Sequence, residues 1–198
     1  MIVLLLFLVP LIGGLLSFFL KNDRTVRSWA LLVSFIALGL AIAGNGLIKA
    51  ENALQFSTSW MGTLNSTFAL KLDGMAKILC LLTAIAYPII FISTWNSSYR
   101  KPNNFFGLML LAQAGLIGVF TAMDALAFYF FWELALIPVY FLCSGWGGEK
   151  RIPVTFKFFI YTFTASVLML IGLVYLYFQT PDGSFSLQSF YGLTLAKK

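Results

Sequence analysis

The sequence predicts an all-α, polytopic membrane protein of about six transmembrane helices, with both termini on the outer side and a small β-hairpin on the outer face. Three observations predict it. The 198 residues are 60% apolar with a mean hydropathy of +0.91, whereas soluble domains are about 45–50% apolar. Charge is scarce, with 13 Lys and Arg against 7 Asp and Glu. Six apolar runs reach the roughly 17–25 residues needed to cross a bilayer, at 2–20, 29–48, 75–95, 105–123, 125–146 and 153–178. This composition excludes a soluble enzyme, a disordered linker, a coiled coil and a secreted disulfide scaffold. The chain has no histidine, which removes the commonest metal ligand and the usual near-neutral proton carrier.

The run at 2–20 lacks the basic start and small-residue cleavage site of a signal peptide, so it reads as a retained helix. Lys21, Arg24 and Arg27 follow it. The run at 29–48 leads into a polar segment, 50–74, where Phe68, Leu70 and Leu72 alternate with Ala69, Lys71 and Asp73. That period of two predicts a short strand. A stretch around Phe56 and Trp60 is expected to pair with it across a turn at 62–65. Arg100 and Lys101 follow the third run, and Lys150 and Arg151 follow the fifth. The alternate connections differ: one carries Asp124 with no base, and the other balances Lys49 and Lys71 with Glu51 and Asp73. By the positive-inside rule the three basic loops face the cytoplasm. The terminal Lys197 and Lys198 oppose this weakly. After the sixth run, Thr180-Pro181-Asp182-Gly183 is a turn, and Phe185 and Leu187 alternate with serines as a strand would.

The net charge of +6 is dispersed over loops, so it serves orientation and no nucleic acid is expected. Cys80 and Cys143 both sit in apolar runs without metal-ligand spacing, so neither a disulfide nor a metal site is expected. Gly13-Gly14 and the glycines around Trp146 lack the strand and lysine of a phosphate loop. Asn65-Ser66-Thr67 matches a glycosylation acceptor, which has no meaning in a bacterial membrane.

An ionisable residue within the bilayer is a functional candidate by default. Glu133, in Phe130-Phe131-Trp132-Glu133-Leu134-Ala135, lies about 12 Å inside the fifth span at 1.5 Å per residue. A carboxyl at that depth needs either a partner or a proton, and both situations suit a group that takes up and releases protons. Pro138, five residues on, frees a backbone carbonyl near Glu133 or merely sets packing. Lys157 lies about 6 Å inside the sixth span. It reads either as an interfacial lysine whose stem reaches the surface or as a cationic station on a proton path. Its depth differs from that of Glu133 by about 13 Å, too far for a direct ion pair. Gln113, Thr162, Thr164 and Ser166 are the polar groups available to link them. Lys77 reads as an interface anchor and Asp124 as a helix N-cap. The aromatic run 128–132 reads as packing.

These residues carry a resemblance. The stretch from Phe130 through Glu133 to Pro138-Val139-Tyr140-Phe141 resembles the fifth helix of the M-type (chain 4) membrane subunit of respiratory complex I. Gly147-Gly148-Glu149-Lys150-Arg151-Ile152-Pro153 leading into Phe156-Lys157-Phe158-Phe159-Ile160-Tyr161-Thr162 is similar to the loop and helix that follow. Leu72-Asp73-Gly74 and Val9-Pro10-Leu11-Ile12-Gly13-Gly14 fit as well. The resemblance implies an antiporter-like, proton-translocating subunit of about fourteen helices built on an inverted repeat. Glu133 falls on that family's fifth-helix glutamate, which pairs with a seventh-helix lysine, and Lys157 on a sixth-helix lysine. The resemblance places no cofactor in this chain, and puts NADH, FMN, iron–sulfur clusters and quinone in other subunits. Its expected partners are neighbouring antiporter-like membrane subunits and the lipid bilayer, in a bacterial inner (plasma) membrane rather than a mitochondrial one. The sequence ends before the family's seventh helix, so the expectation is a single membrane domain, 1–198, forming the N-terminal part of a longer subunit and not pumping alone. Rival readings are a subunit of an Mrp-type cation/proton antiporter or of a membrane-bound hydrogenase, and a structural membrane scaffold.

Overall fold

The computed structural model describes residues 1–47 and 51–193. The expected end of the second span at residue 48, Lys49, and the C-terminal Lys197 and Lys198 lie outside the described residues. Six apolar helices follow one another: α1 (Ile2–Ser17), α2 (Asp23–Ile42), α4 (Gly74–Ser93), α5 (Pro102–Thr121), α6 (Ala125–Trp146) and α7 (Arg151–Gln179). A π-type turn (Ala43–Leu47) extends α2, and a one-turn helix α3 (Glu51–Leu54) leads into the hairpin β1 (Gln55–Met61) and β2 (Ser66–Lys71). A short helix, α8 (Leu187–Tyr191), follows α7.

Five of the apolar helices are long enough to cross a bilayer, and α1 is a shorter apolar helix of 16 residues. The expectation of a full first span, 2–20, is corrected here. Phe18, Phe19 and Leu20 are apolar, but they form the turn that reverses the chain, with backbone bonds running back to Leu15, Leu16 and Ser17. α2 starts six residues earlier than its apolar run because the Asn22 side chain accepts from the Arg24 N–H and caps it. Arg24 and Arg27 therefore sit on the helix. Arg27 turns this to use: its guanidinium donates to the carbonyls of Thr94, Trp95 (2.5 Å) and Ser97 (2.6 Å). It thereby satisfies the carbonyls of the C-cap and turn that follow α4 while lying over the Phe106 ring.

The α1, α2, α4 and α5 helices form one bundle with α6 against α5, and two apolar clusters fill it. One, near the hairpin, gathers Leu6, Phe7, Leu70, Cys80, Ile117 and Phe131. The other, at the opposite end, gathers Val26, Val33, Tyr87, Phe91, Phe106 and Leu110. Without a hydrophobic drive between helices in lipid, association rests on close packing, which small residues permit. Gly115 shows how close: a Cβ there would lie 2.6 Å from the Ala135 backbone nitrogen on α6. At Gly118 it would lie 2.3 Å from the Phe131 ring. α7 is different. It packs chiefly against α6, and of its residues only Thr155 and Ser166 are buried.

The hairpin matches the sequence reading, with an antiparallel register from Gln55↔Lys71 to Met61↔Ser66 and Asn65 left-handed (φ 46°) in its turn. The Asn65 amide donates to the carbonyl of Gly183 at 3.2 Å. Trp60 and Phe68 pack edge-on against Phe130 and Phe131 of α6. The strand expected after α7 is replaced by an isolated bridge, Asp124↔Ser186, followed by α8. Phe185 and Leu187 complete the backbone bonds of Ala125 and Met123, a job one residue pair can do without a ladder. The Met1 ammonium bonds the Ala53 carbonyl. The start of the chain, the hairpin, the α5–α6 turn and the segment after α7 therefore share one end of the bundle.

Candidate functional site

Asp124 is fully buried at that end. Its Oδ1 accepts from the N–H groups of Leu126 and Ala127, capping α6, and from the Ser66 hydroxyl. Its Oδ2 accepts from the Thr67 N–H of β2 at 3.0 Å. One carboxylate thus both starts α6 and ties the hairpin to it. The sequence reading found the cap and not the tie, because Ser66 and Thr67 lie 58 and 57 residues away.

Two turns further along α6, Glu133 is half-buried at the seam with α7. Its Oε1 accepts from the Ser166 hydroxyl at 2.5 Å. Ser166 is one of the two buried residues of α7, and its hydroxyl also lies 2.9 Å from the Phe163 carbonyl. Tyr129, one turn before Glu133, brings its hydroxyl beside both Glu133 and Ser166. The site is therefore a carboxyl and two hydroxyls, mid-helix, beside a helix that the described residues cover on one side only. Hydroxyls can donate to a carboxylate or accept from a carboxylic acid, so the cluster can accommodate Glu133 with or without its proton. Pro138 stays inside an unbroken α6. Its missing N–H leaves the Leu134 carbonyl, next to Glu133, without its usual helical donor.

The structure does not bring Lys157 to this cluster. It is exposed on α7, nine positions or about 14 Å along the axis from Ser166. Of the linking groups considered, Ser166 contacts Glu133. Thr162 bonds the Phe158 carbonyl of its own helix, and Thr164 is exposed. Gln113 sits two positions from Gly115, some 200° around α5 from the face that meets α6, so it cannot bridge Glu133 and Lys157. Tyr129 is the residue that sequence reasoning missed. Its position four before Glu133 was the available signal, masked by four neighbouring aromatics.

Gln113 is fully buried, and among the described residues neither end of its amide has a partner. An unpaired buried amide costs about 1–3 kcal/mol. Gln113→Leu is therefore expected to raise the thermal unfolding temperature of the detergent-solubilised protein. A lower temperature would mean that the amide is satisfied within the membrane and stabilises the bundle.

Among the described residues no group of three or more Cys, Asp or Glu is placed to hold a metal ion. The comparisons with known proteins agree with one another. Residues 122–194 match the family model described as NADH:quinone oxidoreductase/Mrp antiporter, TM. The chain is 41% identical over 177 residues to F(420)H(2) dehydrogenase subunit M of Methanosarcina mazei, covering 88% of this chain and 36% of that protein. It is 36% identical over 171 residues to an NAD(P)H-quinone oxidoreductase chain 4 of Synechococcus elongatus, covering 84% and 32%. The chain thus spans about a third of the length of these relatives. In structure it is similar to a chain of respiratory complex I from Thermus thermophilus, with a TM-score of 0.86 at 25% identity, over 100% of this chain and 40% of that one. The Mrp complex of a Dietzia species shares the fold, with a TM-score of 0.80 at 19% identity over 98% of this chain and 21% of that one.

Proposed function

Because this chain is related in sequence and fold to the antiporter-like membrane subunits of complex I-type quinone oxidoreductases, we propose that it works as part of a proton-translocating subunit of a redox-driven complex. The observation that carries the reading is Glu133, a mid-membrane carboxyl held by Ser166 across the α6–α7 seam. In this reading Glu133 is the gated proton carrier. A charge change nearby alters how tightly it holds its proton, and Ser166 and Tyr129 reorient their hydroxyls as the proton arrives or leaves. The redox chemistry belongs to other subunits: NAD(P)H or reduced F420 is oxidised and quinone or a like acceptor reduced elsewhere, with FMN and iron–sulfur clusters there as well. The partners are neighbouring membrane subunits, and the three basic loops face the cytoplasm of a prokaryotic inner membrane.

Lys157 tunes this carrier from a distance instead of pairing with it. Interactions at about 14 Å are weak where water or lipid headgroups screen them. Lys157→Met is therefore expected to reduce proton translocation by a few-fold, well short of the effect of losing Glu133. Equal losses in the two variants, read as acidification rates in inverted vesicles, would put Lys157 in the obligatory path.

The shared fold with the Mrp complex keeps cation/proton exchange as a second reading. Inverted vesicles carrying the full-length protein distinguish them. Acidification that depends on electron donor and quinone supports the first. Sodium/proton exchange without any dependence on electron flow supports the second.

A further inference from the structure

We propose that α2 carries a binding site for one anionic phospholipid, with the acyl chains in two apolar grooves flanking the helix and the phosphate held by Lys21 and Arg24. One groove, of about 260 Å³, runs between α1 and α2 past Leu8, Ile12 and Trp29. The other, of about 510 Å³, runs along the outer side of α2 past Ser28, Phe35 and Trp95. Leu32 and Ile36 line both, so they form the ridge between two chains of one lipid. Residues 28–36 extend about 12 Å along α2 and residues 5–16 about 16 Å along α1. Those lengths match an acyl chain reaching through half of a hydrocarbon core of about 30 Å.

The charge sits where the headgroup would be. Lys21 and Arg24 are exposed just before the groove, and Arg24 is one turn from Ser28 on the same stripe of α2. The positive end of the α2 dipole adds to them. The acid in this turn, Asp23, is five positions from Ser28 and so about 140° around the helix, away from the groove. Arg27 is committed to the carbonyls of Thr94, Trp95 and Ser97, which holds Trp95 in place as a groove wall. Trp29 is likewise fixed by its indole N–H bonding the Gly13 carbonyl at 3.0 Å. The two indoles stand at the charged end, the depth at which tryptophan favours the headgroup boundary. The grooves are thus walled by the bonded Trp29 indole and by Trp95, whose backbone Arg27 holds, and rimmed by exposed positive charge, a pattern suited to a phosphate-bearing lipid of net negative charge.

The test is photolabelling of the full complex in nanodiscs, with phosphatidylglycerol carrying a diazirine on one acyl chain, and phosphatidylcholine bearing the same chain as the comparison. Crosslinks are mapped by peptide mass spectrometry. The expected result is labelling of residues 28–36 by phosphatidylglycerol at least about tenfold above phosphatidylcholine. Lys21→Gln with Arg24→Gln should bring it down to the phosphatidylcholine level, with electron-transfer activity unchanged. Both residues are exposed, so the double variant should fold. Leu32→Trp, which fills the ridge, provides a second variant and should lower labelling by phosphatidylglycerol with both charges intact. Equal labelling by the two lipids would overturn the proposal in favour of a general lipid annulus. Absence of label from α2, with the grooves protected by a neighbouring subunit, would overturn it in favour of a protein contact.

Discussion

Glu133→Gln in the full-length complex should lower the rate of proton translocation by at least about tenfold. A positioned proton-transfer group commonly contributes about 10²–10⁴ in rate, and glutamine keeps the size and the Ser166 hydrogen bond while removing the exchangeable proton. The amide oxygen can still accept from Ser166, so the α6–α7 seam is expected to survive and the complex to assemble. The check is acidification of inverted vesicles measured alongside quinone reduction. In a tightly coupled complex both fall together. Glu133→Asp shortens the reach by one methylene and should fall between the two. Ser166→Ala should be milder than either glutamate variant, because Tyr129 remains beside the carboxyl.

The second large effect is on stability. Asp124→Ala removes four accepted hydrogen bonds from a fully buried carboxylate. Loss of a helix cap costs about 1 kcal/mol, and the stranded Ser66 and Thr67 donors add about 1–3 kcal/mol. The expected total is about 2–4 kcal/mol, read from thermal unfolding in detergent. Asp124→Asn divides the two roles. It keeps an oxygen for Leu126, Ala127 and Ser66 and turns a donor toward the Thr67 N–H. It should therefore spare α6 and loosen β2, seen as faster amide exchange at Thr67 with α6 protection retained. Equal loosening of both would mean that the hairpin and α6 do not separate energetically.

The sequence made the membrane helices legible because a bilayer leaves so few options: a long apolar run has to satisfy its own backbone, and a helix does so. The hairpin was legible for a similar reason, its period of two standing out against the helical runs around it. The ends of elements were less so. Phe18 to Leu20 are as apolar as the helix before them, and only the need to reverse before the Asn22 cap takes them out of α1. Glu133 was conspicuous as the one carboxyl within the fifth apolar run. Its partner Ser166 was not, since a contact between helices 33 residues apart depends on how α6 and α7 rotate against each other. Gln113 failed as a relay for the same kind of reason: its depth could be counted from the sequence, but its facing could not.

The account rests on Glu133 changing its protonation state during turnover. The most direct measurement is infrared difference spectroscopy of the full-length complex, comparing resting enzyme with enzyme under electron flow from its reduced donor. A carboxylic-acid carbonyl band that appears or shifts on turnover, moves in heavy water and is missing in Glu133→Gln is the predicted result. An identical difference spectrum in the Glu133→Gln complex, together with undiminished proton translocation, would contradict the account and leave Glu133 as a structural tie between α6 and α7.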